Sequence, residues 1–159
     1  MTRSCPARTF TASSRLYSAA IARFRAALEA TPDYPDALNN LGYALLLSGR
    51  DREARALYEK ALALQPDFPE ALNNLGLLLG RAGQLDEAGR YFHQALERRD
   101  HYGEAANNLA LVLVAQGRAA EAVAQLQRFI EGTPAFEGAY VTLAKIHLSE
   151  GRTAAGLAV

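Results

Sequence analysis

The stretch Asn39-Asn40-Leu41-Gly42 returns as Asn73-Asn74-Leu75-Gly76 and again as Asn107-Asn108-Leu109-Ala110, each time after 34 residues. Set side by side, residues 35–68 and 69–102 share 13 identities in 34 positions. Chance allows far fewer, even in a chain this rich in Ala and Leu. A fixed period of this length is the mark of stacked equal units.

Each unit reads as two helices. Tyr34-Pro35 and Phe68-Pro69 place proline at a helix start, where its missing N–H costs nothing. Residues 36–48 carry Leu38, Leu41 and Leu45 on one face. Gly49 follows, the residue type that lets a helix leave through a left-handed cap. Gly83, Gly117 and Gly151 repeat it at the same period. The spacing predicts a second helix over 52–64, packing through Ala54, Leu57, Tyr58, Ala61 and Leu62 and stopping before Pro66.

Composition agrees. Ala (32 residues) and Leu (24) make up more than a third of the 159-residue chain, whereas Val and Ile supply only eight. That balance favours helix over sheet. Seventeen basic and seventeen acidic residues cancel, so the basic excess of a nucleic-acid binder is missing. The lone Cys5 cannot form an internal disulfide, which excludes a stapled secreted scaffold. No stretch of 18 apolar residues runs without a charge, so no segment reads as membrane-spanning.

On these residues the chain resembles the tetratricopeptide repeat family, whose motif runs from Leu-Gly through a small Ala and a bulky aromatic to a closing Pro. Leu41-Gly42 and Leu75-Gly76 match it, and Leu109-Ala110 and Leu143-Ala144 soften it. Ala54/Tyr58 and Ala88/Phe92 keep the spacing of four, and Ala122/Leu126 keeps it less well. Pro66 and Pro134 close their units, but Asp100 stands where the second copy wants proline. The leading aromatic survives only as Tyr140, its counterparts being Leu38, Leu72 and Ala106. The resemblance implies an all-α helix-turn-helix solenoid, a right-handed superhelix with a concave groove lined by the first helices. Three full repeats and two partial ones are expected. The boundaries are a half repeat at 14–34, units at 35–68, 69–102 and 103–136, and a truncated unit at 137–159, after an irregular tail at 1–13.

Units of this kind cannot bury their apolar faces alone, so neighbours stack and the ends need covering. The segment after Thr153 is short for that purpose. An apolar patch is therefore expected around Tyr140, Leu143 and Ile146, with truncation or self-association through that end as its meaning.

At about 100° per residue, the face of the first helix opposite Leu38, Leu41 and Leu45 collects Asp36, Asn39, Asn40, Tyr43 and Leu47. The next unit presents Glu70, Asn73, Asn74, Leu77 and Arg81 there, and the third Glu104, Asn107, Asn108, Leu111 and Ala115. The fourth breaks the series with Gly138, Val141, Thr142, Lys145 and Ser149. The groove is thus read as a row of acids, a double row of amides and an apolar row. Mid-helix asparagine is a poor helix former, several tenths of a kcal/mol worse than alanine per site. Two compensations are open. An amide can grip a peptide backbone without regard to its sequence, or it can bond the neighbouring unit. Asn40, Asn74 and Asn108 fit either account, and they resemble the asparagines in repeats of O-linked N-acetylglucosamine transferases. Asn39, Asn73 and Asn107 are expected to face solvent or ligand. The acids Asp36, Glu70 and Glu104, with only Arg81 and Lys145 as bases, favour a neutral or basic ligand over an acidic tail.

Nothing reads as a catalyst. His93, His101 and His147 lack a second ligand at metal spacing. His147 falls at a core aromatic position. No nucleophile elbow, P-loop or dinucleotide fingerprint occurs, and Gly76, Gly80 and Gly83 sit on a helix and its cap. Asp86-Glu87 opens a helix, where acids suit the dipole. No cofactor or metal is expected. Residues 1–28 hold five arginines and no acid, which fits either a basic tail or a mitochondrial-type transit segment. Fifteen Arg against two Lys points to a GC-rich, bacterial source and a cytoplasmic protein. The function expected is a non-catalytic scaffold that binds a partner peptide or helix in its groove. The alternatives are the substrate-presenting arm of a larger glycosyltransferase-like enzyme and a self-assembling structural module.

Overall fold

The computed structural model describes residues 12–149 and Gly151. Among them run eight helices: α1 (Ala12–Ala30), α2 (Pro35–Leu47), α3 (Asp51–Leu64), α4 (Pro69–Arg81), α5 (Leu85–Arg98), α6 (Gly103–Ala115), α7 (Ala119–Gly132) and α8 (Glu137–Ser149). α1 begins two residues earlier than its expected start at Ser14. The expected tail, apart from Ala12 and Ser13, and the segment after Thr153 lie outside the described residues.

The caps follow the residues that predict them. Pro35 and Pro69 occupy the first turns of α2 and α4. Gly49, Gly83, Gly117 and Gly151 all have positive φ, between 72° and 78°, a region closed to most side chains. At Gly49 the next residue's N–H, that of Arg50, reaches back to the Leu45 carbonyl at 2.9 Å, while the Gly49 N–H donates to Leu46 at 3.1 Å. Gly83 and Gly117 repeat both bonds. This pairing satisfies carbonyls that the helix end would otherwise leave open, and it leads α2, α4 and α6 into their partners through the same turn.

Each helix packs on the next along the chain, and α8 also packs on α6. Backbones then approach closely across units in one layer only: α2 lies on α4, and α4 on α6, whereas among the described residues second helices of neighbouring units meet through side chains, as where Arg25 of α1 reaches Glu53 of α3 at 3.5 Å. The first helices therefore line the tighter, concave side. One apolar core threads the stack from Ile21 in α1 to Ile146 in α8. Leu41, Leu45, Ala54, Tyr58, Leu75, Leu79, Ala88, Phe92, Leu109, Leu113 and Ala122 are all buried in it, as the spacing requires.

The motif glycine has a steric reason. A Cβ at Gly42 would lie 2.7 Å from the Tyr58 ring, and one at Gly76 would lie 2.8 Å from Phe92. The two helices of a unit meet where an aromatic ring rests on bare backbone. In the third unit both partners change, to Ala110 and Leu126, and both are fully buried.

The expected C-terminal patch differs in membership. Leu143 and Ile146 are buried in the shared core and Tyr140 is half-buried. Val141 and Leu148 are the exposed apolar residues of α8. Val141 stands where Asn39 and Asn73 stand, the position that the following unit covers. His147 is buried as its place in the pattern predicts, with Nδ1 unpartnered. No helix among the described residues is long and apolar enough to cross a membrane.

Candidate functional site

The double row of asparagines forms a ladder. Asn74 Nδ2 donates to Asn39 Oδ1 at 2.9 Å, and Asn108 Nδ2 donates to Asn73 Oδ1 at 3.0 Å. Each bond joins the second asparagine of one unit to the first of the unit before it. Asn39 and Asn73 are only 6% and 5% exposed. Of the expectation that the first asparagine of each pair faces solvent or ligand, the solvent alternative is thus corrected for Asn39 and Asn73: stacking lowers them into the groove floor, where the next unit takes their oxygens, while Asn107 is half-buried. Asn40, with no such amide before it, is exposed. The series stops at Asn107. Thr142 holds the place of the next donor, and Asn107 Oδ1 is buried without a partner. Gly138 brings the α8 backbone so close that a Cβ there would lie 2.8 Å from Asn107 Nδ2.

The bonds leave amide capacity unused. An asparagine offers two donors and an acceptor oxygen with two lone pairs. In each rung the second residue keeps its oxygen and the first keeps its Nδ2 group. Above them opens a cavity of about 390 Å³ that gathers Asn39, Asn40, Tyr43, Glu70, Asn73, Asn74, Leu77, Glu104, Asn107 and Asn108. Asp36, Arg81, Leu111 and Lys145 lie outside it. Asp36 and Lys145 are exposed on α2 and α8. Arg81 donates to the Leu46 carbonyl at 3.2 Å and stands 4.0 Å from Asp51.

Two aromatics complete the cavity, Tyr102 and Phe136. They precede α6 and α8, as Tyr34 and Phe68 precede α2 and α4. That recurrence is visible in the sequence and was the signal for them. Tyr102 is buried, and Arg99 lies over its ring at 4.9 Å. Burial, then the charges of Glu70 and Glu104, push the Tyr102 hydroxyl up to about 12. Phe136 seats its ring against Gly103, where a Cβ would come within 2.5 Å.

The acidic row is uneven. Glu70 is paired with Arg99. Asp36 and Glu104 have no ion-pair partner among the described residues, and both are exposed. The free charge of the groove edge is therefore acidic at its two flanks and neutralised between them.

A second cavity, about 240 Å³, adjoins the first and shares Leu77 and Asn108 with it. Leu111 and Arg81 stand at this one, with Leu85, Phe92 and Val112 beneath. Spacing alone gave no sign of it. Elsewhere His101 Nδ1 is 2.7 Å from Thr133 Oγ1. Among the described residues no group of three or more His, Cys, Asp or Glu could hold a metal ion.

Family models agree with this architecture. The tetratricopeptide repeat model matches residues 67–134, and the TPR repeat model matches 17–49 and 42–83. Among solved structures, a thermophilic TPR protein of Thermus thermophilus, TTC0263, is 25% identical with a TM-score of 0.77, over 92% of this chain and 83% of that one. MamA is 20% identical with a TM-score of 0.73, over 92% and 89%. A tetratricopeptide repeat protein from Parabacteroides merdae is 22% identical with a TM-score of 0.76, over 91% of this chain and 56% of that one. No curated protein sequence matches significantly. Proteins of this fold are in general non-enzymatic scaffolds that bind other proteins. From its 34-residue period, its glycine-on-aromatic helix pairs and these matches, the chain belongs to the tetratricopeptide repeat family.

Proposed function

We propose that this chain is a non-catalytic scaffold that holds an extended peptide segment of a partner protein in its concave groove. The observation that carries the reading is the cavity over the asparagine ladder. There, spare amide donors and acceptors line up beside the exposed ring of Tyr43 and the unpaired carboxylate of Glu104, with Asp36 exposed on α2 outside the cavity. Amides in such an array pair with a peptide backbone whatever its side chains. Asp36 and Glu104 add a preference for basic segments and a salt-sensitive on-rate.

The test is panning of a random peptide display library on the purified chain, followed by nuclear magnetic resonance mapping of a selected peptide. Shifts are expected at Asn40, Tyr43, Asn74 and Glu104, with Lys or Arg enriched among the binders. The double variant Asp36→Lys/Glu104→Lys, which changes only exposed side chains, should reverse that charge preference. Shifts confined to the outer helices α3 and α5, or a preference that survives the charge reversal, would defeat the reading.

A further inference from the structure

One position in the stack has lost its side chain for no reason that packing supplies. Leu46, Gly80, Val114 and Leu148 occupy equivalent places near the ends of the four first helices. Leu46 is buried. Gly80 lies inside α4, where glycine is the poorest helix former after proline. It does not adopt positive φ, unlike Gly49 and Gly83. Nor is it squeezed: a Cβ there would sit 3.8 Å from Ala88 and 3.9 Å from Val112, ordinary contact distances. Gly76, four residues earlier, has no such room. What the missing side chain leaves is the 240 Å³ cavity, walled by Leu85, Phe92 and Val112 and opening beside Leu77 and Leu111. An apolar cavity of about 150 Å³ is enough to hold benzene.

We propose that Gly80 makes a receptor pocket for one apolar side chain, of leucine, methionine or phenylalanine size, on an extended peptide that also carries a basic residue about three positions away. This rests on the groove reading above and names its ligand. The placement of the carboxylates fixes the arrangement. Glu104 and Asp36 at the far edge attract a basic side chain, whereas no carboxylate lines the pocket itself. Leu111 and Glu104 lie seven residues apart on α6, roughly 10 Å at the helical rise. An extended chain covers that span in about three residues. The free oxygen of Asn108 lies between the two ends, and the exposed side chain of Leu111 marks the pocket end.

The experiment uses fluorescein-labelled ten-residue peptides on an Ala/Ser background. Each carries one Lys and, three positions away, Leu, Met, Phe, Ala or Asp, and is titrated against the full chain by fluorescence polarisation. The Leu, Met and Phe peptides should bind roughly tenfold or more tightly than the Ala peptide. In Gly80→Leu, which fills the cavity with the residue of the first unit, that preference should fall below about twofold while the Ala peptide binds as before. The variant should melt no lower than the wild type, since leucine is the better helix former. Should circular dichroism show it unfolded, Gly80→Val, the residue of the third unit, takes its place. Leu and Ala peptides binding alike, with affinity lost in Asp36→Lys/Glu104→Lys, would remove the pocket and leave the groove reading standing. A preference undiminished by filling the cavity would do the same. Failure of every peptide to bind the wild type would remove both.

Discussion

The first two full units and the third solve one packing problem in two ways. In the former an aromatic ring lies on a glycine, Tyr58 on Gly42 and Phe92 on Gly76. In the latter the equivalent places hold a smaller Leu126 and a larger Ala110, and both are fully buried. Volume leaves one helix as it enters the other. What stays constant is that the space between the two helices is filled and shut off from solvent, not the identity of either side chain, which is how close-packed interiors tolerate drift.

The comparison breaks most sharply if the pairs are mixed. Gly76→Ala drives a methyl into the Phe92 ring and is expected to cost about 1–3 kcal/mol by urea denaturation. Adding Phe92→Leu rebuilds the third unit's pair, so the double variant should be more stable than the two single costs predict. Strict additivity would show that the two positions do not share one space.

The ladder extends the contrast to polar groups. Asn74→Ala or Asn108→Ala leaves a buried oxygen of the preceding unit without its donor, and should cost about 1–3 kcal/mol. Asn40→Ala, at a position that supports no rung, should be neutral or stabilising by a few tenths of a kcal/mol. Equal melting temperatures for Asn40→Ala and Asn74→Ala would mean that the rungs contribute nothing.

Tyr58 and Phe92 differ by a hydroxyl that is buried and unbonded in Tyr58. Burial raises the Tyr58 hydroxyl above the usual tyrosine value, and Tyr102 is raised to about 12. In both, the folded state holds its proton more tightly than the unfolded one. The stability this gives is complete below pH 10 and falls as pH rises from about 10 toward 12. Tyr58→Phe should fold as the second unit does and lose less stability over that window, read by denaturant melts at pH 9 and 11.5. An unchanged alkaline slope would place the titration elsewhere. Smallest of all is Thr142→Asn, which offers Asn107 Oδ1 the missing donor. A gain of about 0.5–1.5 kcal/mol is expected, and a loss would show that Gly138 holds α8 too close for an amide.

Why some of this was legible in the sequence and some was not follows from what a period reports. Repetition every 34 residues reports equivalence, so the caps at Gly49, Gly83 and Gly117 and the core face of every helix could be read directly. It does not report which equivalent positions touch. Asn39 and Asn74 are 35 apart, and only stacking brings them together, so the depth of Asn39 could not be inferred from a helical wheel that sets it beside the exposed Asn40. The apolar patch at α8 differs from expectation for the same reason: the period sets Leu143 with Leu41, Leu75 and Leu109 on the core face, but only the packing of α8 on α6 and α7 shows that it and Ile146 are covered. Gly80 could be aligned with Leu46 and Val114, but whether its absent side chain leaves a hole depends on Leu85, Phe92 and Val112, which belong to other faces and the next unit.

The ladder's bonds have a further property. In both rungs the nitrogen belongs to the later unit and the oxygen to the earlier one. The groove floor is therefore polar along its length, with its unused oxygens and unused N–H groups always in the same order. A peptide backbone is polar in the same way. Laid along such a floor, a segment and its reversal are different objects, and the scaffold acquires a sense of direction from side chains that are all alike.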